Sequence, residues 1–104
     1  KSEIFTEEQN KIAAIAKVLG HPARIAILEF LIKLKSCVCK DLVNEIGLAQ
    51  PTISQHLKEL KNVGIIKGKI EGTSVCYCID DKNWEQITNL LGKFLNKSST
   101  GSCC

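Results

Sequence analysis

No apolar stretch in this chain approaches the roughly 18 consecutive residues that a membrane-spanning helix requires, and no charged-then-apolar leader stands at its start. Neither a membrane partner nor secretion is therefore expected, and the cytoplasm is the expected location. Net charge is also scarce, +3 over 104 residues, too little on its own to mark a nucleic-acid binder. The length suits one domain with a modest core. Cysteine is not scarce: there are six. In a reducing compartment they do not form a disulfide framework, so metal, metalloid or redox chemistry is the better reading.

The small net charge is unevenly spread. Between Gln50 and Ile70 stand four lysines, Lys58, Lys61, Lys67 and Lys69, against a single acid, Glu59. Acids collect near the start (Glu3, Glu7, Glu8) and around Asp80, Asp81 and Glu85. A basic middle between acidic ends suggests one anion-facing surface.

Thr6 and Gln9 fit a capping box, opening a helix that runs to Leu19 and stops at Gly20. Ile12, Ala13, Ala14, Ile15, Ala16, Val18 and Leu19 wrap most of its circumference, so it needs two apolar neighbours. Pro22 opens a second helix with a wide stripe of Ile25, Ile27, Leu28, Leu31, Ile32 and Leu34. "SCVCK" reads as a short extended bridge. "KDLVNEIGLAQPTISQHLKELKNVGII" reads as a helix, a tight turn at Gly47, Leu48 and Ala49, and a second helix opened by Pro51 and closed at Gly64. "IIKGKIEGTSVCYCID" reads as a hairpin turning at Glu71, Gly72 and Thr73. A last helix from about Asp81 places Trp84, Ile87, Leu90, Leu91, Phe94 and Leu95 at helical spacing. The order helix, helix, strand, helix, helix, β-hairpin, helix is a mainly α winged helix-turn-helix. The expected domain is 1–95, followed by a flexible polar tail, 96–104, ending in Cys103 and Cys104.

The helix from Pro51 to Val63 carries the functional argument. At 100° per residue, Ile53, Leu57 and Leu60 face the core, Thr52, Gln55, Lys58 and Asn62 face away, and Ser54 and His56 lie on the shoulders. Short uncharged polar side chains at the N-terminal end, Gln50, Thr52, Ser54 and Gln55, suit base edges. Lys58 and Lys61 lie where a helix in the major groove rises toward phosphates. His56 suits either a phosphate contact or a local hydrogen bond. Lys67 and Lys69 of the hairpin should set salt dependence. Two such helices about 34 Å apart would read a pseudo-palindrome, so a homodimer through the first and last helices is expected.

On the stretches "LGHPARIAILEFL", "CVCKDL" and "QPTISQHLKELKNVGII" the chain resembles the ArsR/SmtB family of small dimeric repressors, in its arsenic-sensing branch. That resemblance implies operator DNA as partner, release by thiophilic ions, no permanent cofactor and no catalytic residue. The chain departs from the arsenic sensors in having no cysteine shortly after CVC, and from cadmium and lead sensors in having none before Cys37. Its last helix has no histidine, which disfavours zinc.

Soft ions prefer thiolates. Trivalent arsenic or antimony takes three sulfurs, and a trivalent mono-organoarsenical takes two. Cys37 and Cys39 are the first candidates, at the mouth of the helix before the reading helix by resemblance, followed by Cys103 and Cys104. Cys76 and Cys78 come second, since a free cysteine also serves as a small packing residue. If Val38 turns inward with Val75, Tyr77 and Ile79, all four CxC sulfurs share the outer face of one small sheet. The expected inducer is As(III), Sb(III) or a trivalent organoarsenical. Competing readings are a redox- or persulfide-sensing repressor of the same fold and, from another class, a soft-metal carrier or thiol oxidoreductase.

Overall fold

The computed structural model describes residues 4–37 and 42–97. The first helix, α1 (Glu7–Leu19), starts at the expected capping box. Thr6 Oγ1 accepts from the Gln9 N–H, and Gln9 Oε1 accepts from the Thr6 N–H, both at 3.0 Å. At its end the Gly20 N–H turns back to the Lys17 carbonyl. Helix α2 (Pro22–Leu34) is capped by His21, whose Nδ1 accepts from the Ala23 N–H at 3.1 Å. It ends at Lys35 in the left-handed region, φ 56°.

Helix α3 (Leu42–Ile46) leads through Gly47, at φ 85°, into α4 (Gln50–Asn62). Helix α4 begins one residue ahead of Pro51, which sits in the first turn where its missing N–H leaves no bond unmade. The hairpin pairs β1 (Ile66–Glu71) antiparallel with β2 (Ser74–Ile79), from Ile66 opposite Ile79 to Glu71 opposite Ser74. Gly72 takes φ 62° at the first position of the two-residue turn, where II′ geometry demands glycine. Helix α5 (Asp81–Leu95) is capped by Asp80, whose Oδ1 accepts from the Asn83 N–H. Helices α3 and α4 are the helix-turn-helix and the hairpin is the wing.

The extended bridge expected at "SCVCK" falls on residues 38–41, outside the described residues, and Cys37 itself lies outside any strand. The tail beyond Lys97 also lies outside them.

One core joins these elements. Ile27, Leu28 and Leu31 of α2 are its centre, and Ile53, Leu57 and Leu60 of α4, Ile65, Ile66, Leu42, Ile15 and Val18 pack against them. Each such side chain contributes about 1.5–3 kcal/mol on burial. By contrast α5 buries only Ile87, and leaves Phe94 and Leu95 exposed, as Ile4 and Phe5 are ahead of α1.

A polar knot fixes where the wing leaves α4. Gly64 stands at φ 84°, and its carbonyl accepts from Asn83 Nδ2 at 3.2 Å. The same amide donates to Asp80 Oδ2, and the Asp80 N–H donates to the Ile65 carbonyl at 3.0 Å. A Cβ on Gly64 would meet Asn83 Nδ2 at 3.0 Å. Gly64→Ala should therefore lose about 1–2 kcal/mol from the left-handed backbone alone, with more from displacing Asn83. Urea denaturation against Gly47→Ala, where a Cβ meets nothing within 4 Å, checks this: Gly64→Ala should unfold at the lower denaturant concentration.

Candidate nucleic-acid interface and thiol site

Burial sorts the α4 residues. Ile53, Leu57 and Leu60 lie in the core, and Gln50, Thr52, Ser54, Gln55, Lys58, Lys61 and Asn62 are exposed. Gln50 Nε2 donates to Ser54 Oγ at 3.0 Å, and Gln55 Nε2 donates to Glu59 Oε2 at 3.1 Å. These one-turn bonds lay polar side chains along the outer face. Lys61 Nζ would lie 3.4 Å from a Cβ on Gly68, so the end of α4 reaches over β1. Lys67 and Lys69 are exposed on that strand. Lys69 pairs with Glu71 at 3.7 Å, both side chains more than half exposed, a contact worth little in water. Basic side chains of α4 and of the wing thus form adjoining parts of one surface.

His56 is not part of it. Placed among the DNA contacts by its position on the helix shoulder, it is only 7 % exposed. Its Nδ1 accepts from Arg24 Nε at 3.0 Å, and its ring meets that of His21 edge-on with centroids 4.4 Å apart. Arg24 also donates through Nη1 to the Val18 carbonyl at 3.2 Å. Arg24 thereby ties the end of α1 and the reading helix to α2. The sequence reading missed this residue. Its signal was a guanidinium in the first turn of a mostly apolar helix, five donors that need acceptors where the helix packs.

Burial lowers the pKa of His56 from its ordinary 6.5, helped by the charges of His21 and Arg24. The bond from Arg24 needs an unprotonated Nδ1, which acts in the same direction. With the folded value depressed, the unfolded chain binds more protons as pH falls through about 6.5, so stability is full above that and declines below it. Thermal melts between about pH 8 and pH 5 should show Tm falling on the acid side. His56→Gln should flatten that fall; an unchanged slope would remove His56 as its cause.

The described cysteines lie on the wing and just past the end of α2. Cys37, three residues past the end of α2, is disulfide-bonded to Cys78 of β2, with 4.3 Å between their Cα atoms. Cys76 is also disulfide-bonded, is 1 % exposed, and its Sγ lies 3.6 Å from Glu71 Oε1. The expected open outer face of thiols is therefore corrected. Tyr77 and Ile79 do pack on the core, yet Val75 is exposed and Cys76 is buried, because β2 lies against α2. Opposite Cys78 in register stands Lys67, and opposite Cys76 stands Lys69. Cys39, Cys103 and Cys104 lie outside the described residues. Among the described residues no group of three or more His, Cys, Asp or Glu side chains is placed to hold a metal ion, and no helix is long and apolar enough to cross a membrane.

Comparison with known proteins places these features in context. The model of the bacterial regulatory protein, arsR family, matches residues 21–67. An uncharacterized HTH-type transcriptional regulator of Methanocaldococcus jannaschii is 43 % identical over 86 residues, 82 % of this chain and 96 % of that protein. The cadmium resistance transcriptional regulatory protein CadC homolog of Staphylococcus aureus is 34 % identical, over 84 % of this chain and 72 % of its own. The arsenical resistance operon repressor of Staphylococcus xylosus is 30 % identical, over 90 % and 88 %. In three dimensions, the homodimeric winged helix-turn-helix DNA-binding domain of a Mycobacterium bovis protein superposes with a TM-score of 0.67 at 21 % identity, covering 88 % of each chain.

Proposed function

This chain belongs to the arsR family of bacterial regulatory proteins, and on that premise we propose that it is a homodimeric, cytoplasmic repressor that leaves its operator when trivalent arsenic or antimony binds its cysteine thiolates. Its relatives are transcriptional regulators and not enzymes, which leaves thiol oxidoreductase chemistry without support. The relatives differ in the ion their names carry, cadmium in one and arsenic in another. The CVC motif at Cys37 to Cys39 favours a thiophilic ion and the lack of histidine in α5 disfavours zinc, while the choice of arsenic over cadmium rests on there being no cysteine among residues 1–36.

One observation carries the reading. A single hairpin presents Lys67 and Lys69 and, as their register partners, Cys78 and Cys76. Chemistry at the sulfurs therefore acts on the element that would hold phosphates. In this reading Gln50, Thr52, Ser54 and Gln55 meet base edges. Lys58, Lys61, Lys67 and Lys69 meet the backbone, and Cys37 and Cys39 are primary ligands. Cys103 and Cys104 are further candidate ligands. The incompletely covered faces of α1 and α5 supply the dimer surface, setting two α4 helices at successive major grooves of a pseudo-palindrome. A shift of about 1–3 kcal/mol per ligand is enough to empty the operator.

Fluorescence anisotropy on palindromic DNA from the adjacent promoter tests this. Binding should weaken at least about tenfold when arsenite is added to reduced protein. Lys67→Ala and Lys69→Ala should each make the log–log salt dependence shallower by about one. If serine variants of all six cysteines still release DNA with arsenite, the thiolate reading fails.

A second reading has its own observation, the Cys37–Cys78 disulfide. There, oxidation or persulfidation in place of ion binding is the trigger. Peroxide would then release DNA, dithiothreitol would restore binding, and arsenite would do nothing.

A further inference from the structure

We infer that the cleft between the end of α2, the wing and the start of α5 binds a small amphipathic organic anion, a carboxylate or sulfonate on an apolar body. Recognition there is by charge and apolar contact and uses no sulfur. The site stands by itself; only its effect on DNA rests on the operator reading above.

The cleft holds about 850 Å³, within the size range of small-molecule sites. One wall is apolar, made by Ile32 of α2, Ile79 at the end of β2 and Trp84 of α5. Ile32 is 44 % exposed and Trp84 only half-buried, so the core leaves apolar surface open toward the cleft. Covering such surface is what drives an organic body into a site.

The rim is basic. Among the described residues, Lys35, Lys67 and Lys69 line the cleft against one carboxylate, Asp81. Lys69 is paired with Glu71 at 3.7 Å, which makes Lys35 and Lys67 the anchors for a ligand charge. Lys35 supplies a second, independent observation. Among the described residues it is the only non-glycine at positive φ, 56°, and its N–H donates to the Leu31 carbonyl at 3.2 Å. Helices that end in this left-handed geometry usually place glycine there, because a Cβ crowds the following carbonyl. A lysine at this position sacrifices backbone comfort and gains an ammonium group at the mouth of the cleft, as strained residues at binding sites do.

These features select the ligand class. A cation is repelled by the rim, and a neutral apolar molecule leaves the lysines unused. A bare inorganic anion leaves the wall unused and meets only exposed ammonium groups, which hold it weakly in water. An amphipathic anion uses both. Since Lys67 and Lys69 are also the wing lysines assigned above to operator phosphates, an occupant competes with DNA for the same charges.

Full-length protein is titrated with 8-anilinonaphthalene-1-sulfonate, and separately with its uncharged analogue N-phenyl-1-naphthylamine, while probe fluorescence, Tm and operator anisotropy are followed. We expect one saturable site per chain, with the uncharged analogue about tenfold weaker or worse. Lys35→Gly should bind the sulfonate about three- to fivefold more weakly, as an exposed ion pair warrants, while its Tm stays level or rises because the left-handed strain is gone. Ile32→Glu, at an exposed position, should abolish binding, and Lys33→Ala, a neighbouring charge outside the lining, should titrate like the parent. Sulfonate affinity unchanged in both Lys35→Gly and Ile32→Glu overturns the site, and equal affinity for the uncharged analogue overturns the ligand class. Saturating sulfonate should weaken operator binding in the parent and leave Ile32→Glu unaffected. If the sulfonate occupies the cleft and the operator stays as tightly bound, the site stands and the competition falls. If the parent binds no palindromic promoter DNA at all, the operator reading falls and the titration alone decides the site.

Discussion

Everything this molecule presents outward depends on how firmly α4 is held from behind. Ile53, Leu57 and Leu60 are each 4 % exposed or less and pack with Ile27, Leu28 and Leu31 of α2. That contact fixes the rotation of α4 about its own axis, and rotation decides which side chains face out. A slip of one residue would turn the helix by about 100° and carry Thr52 and Gln55 off the exposed face. Arg24 adds a directional restraint to the apolar one, since its bond to His56 holds only at one setting of the helix. Apolar packing supplies the energy, and the hydrogen bond selects among closely packed alternatives.

The wing is restrained at its root by two different chemistries. At its root, Gly64, Asp80 and Asn83 form a closed set of hydrogen bonds linking the end of α4 to the start of α5. One pair into the ladder, where Cys78 stands opposite Lys67, the second restraint is Cys37–Cys78, a link to the chain just past α2. The first is built from amides and a carboxylate and is indifferent to soft ions and oxidants. The second is a disulfide, and only its reduced thiolate form is of the kind that soft ions and oxidants act on. Ile65 and Ile66, fully buried at the root, anchor the hairpin in the core beside both attachments.

Much of this was legible in the sequence wherever a residue's role follows from local periodicity or backbone geometry. The capping box at Thr6, the apolar side of α4, the turn at Gly72 and the order of the elements are local facts. The fold could therefore be read directly. What the sequence hid was contact between distant segments. His56 looked like a shoulder residue because helical projection shows angle and not what packs there, and it lies beneath Arg24 of α2. Cys76 looked outward because strand alternation assumes one open face, whereas β2 has α2 against it. Strand alternation did bring the sulfurs of the two CxC motifs to one face, but which of them bond, Cys37 with Cys78, was not legible from it. Alternation and spacing describe one element at a time; a site assembled from two elements needs their packing.

The same packing leaves much of the apolar side of α5 uncovered. Helix α5 has apolar residues at helical spacing over its whole length, yet only Ile87 is buried, with Trp84, Leu90 and Leu91 half-covered and Phe94 and Leu95 open. A helix that contributes so little to its own core gains most of its stability from what it meets elsewhere. If that surface is another α5, the position of each wing root is set through Asp80 and Asn83 by the partner as well as by its own chain. A change at one sulfur pair then alters the spacing of two wings together. In the proposed dimer a small shift at a thiol would then be felt across a two-fold grip, because such a grip fails when either half falls out of step with the groove.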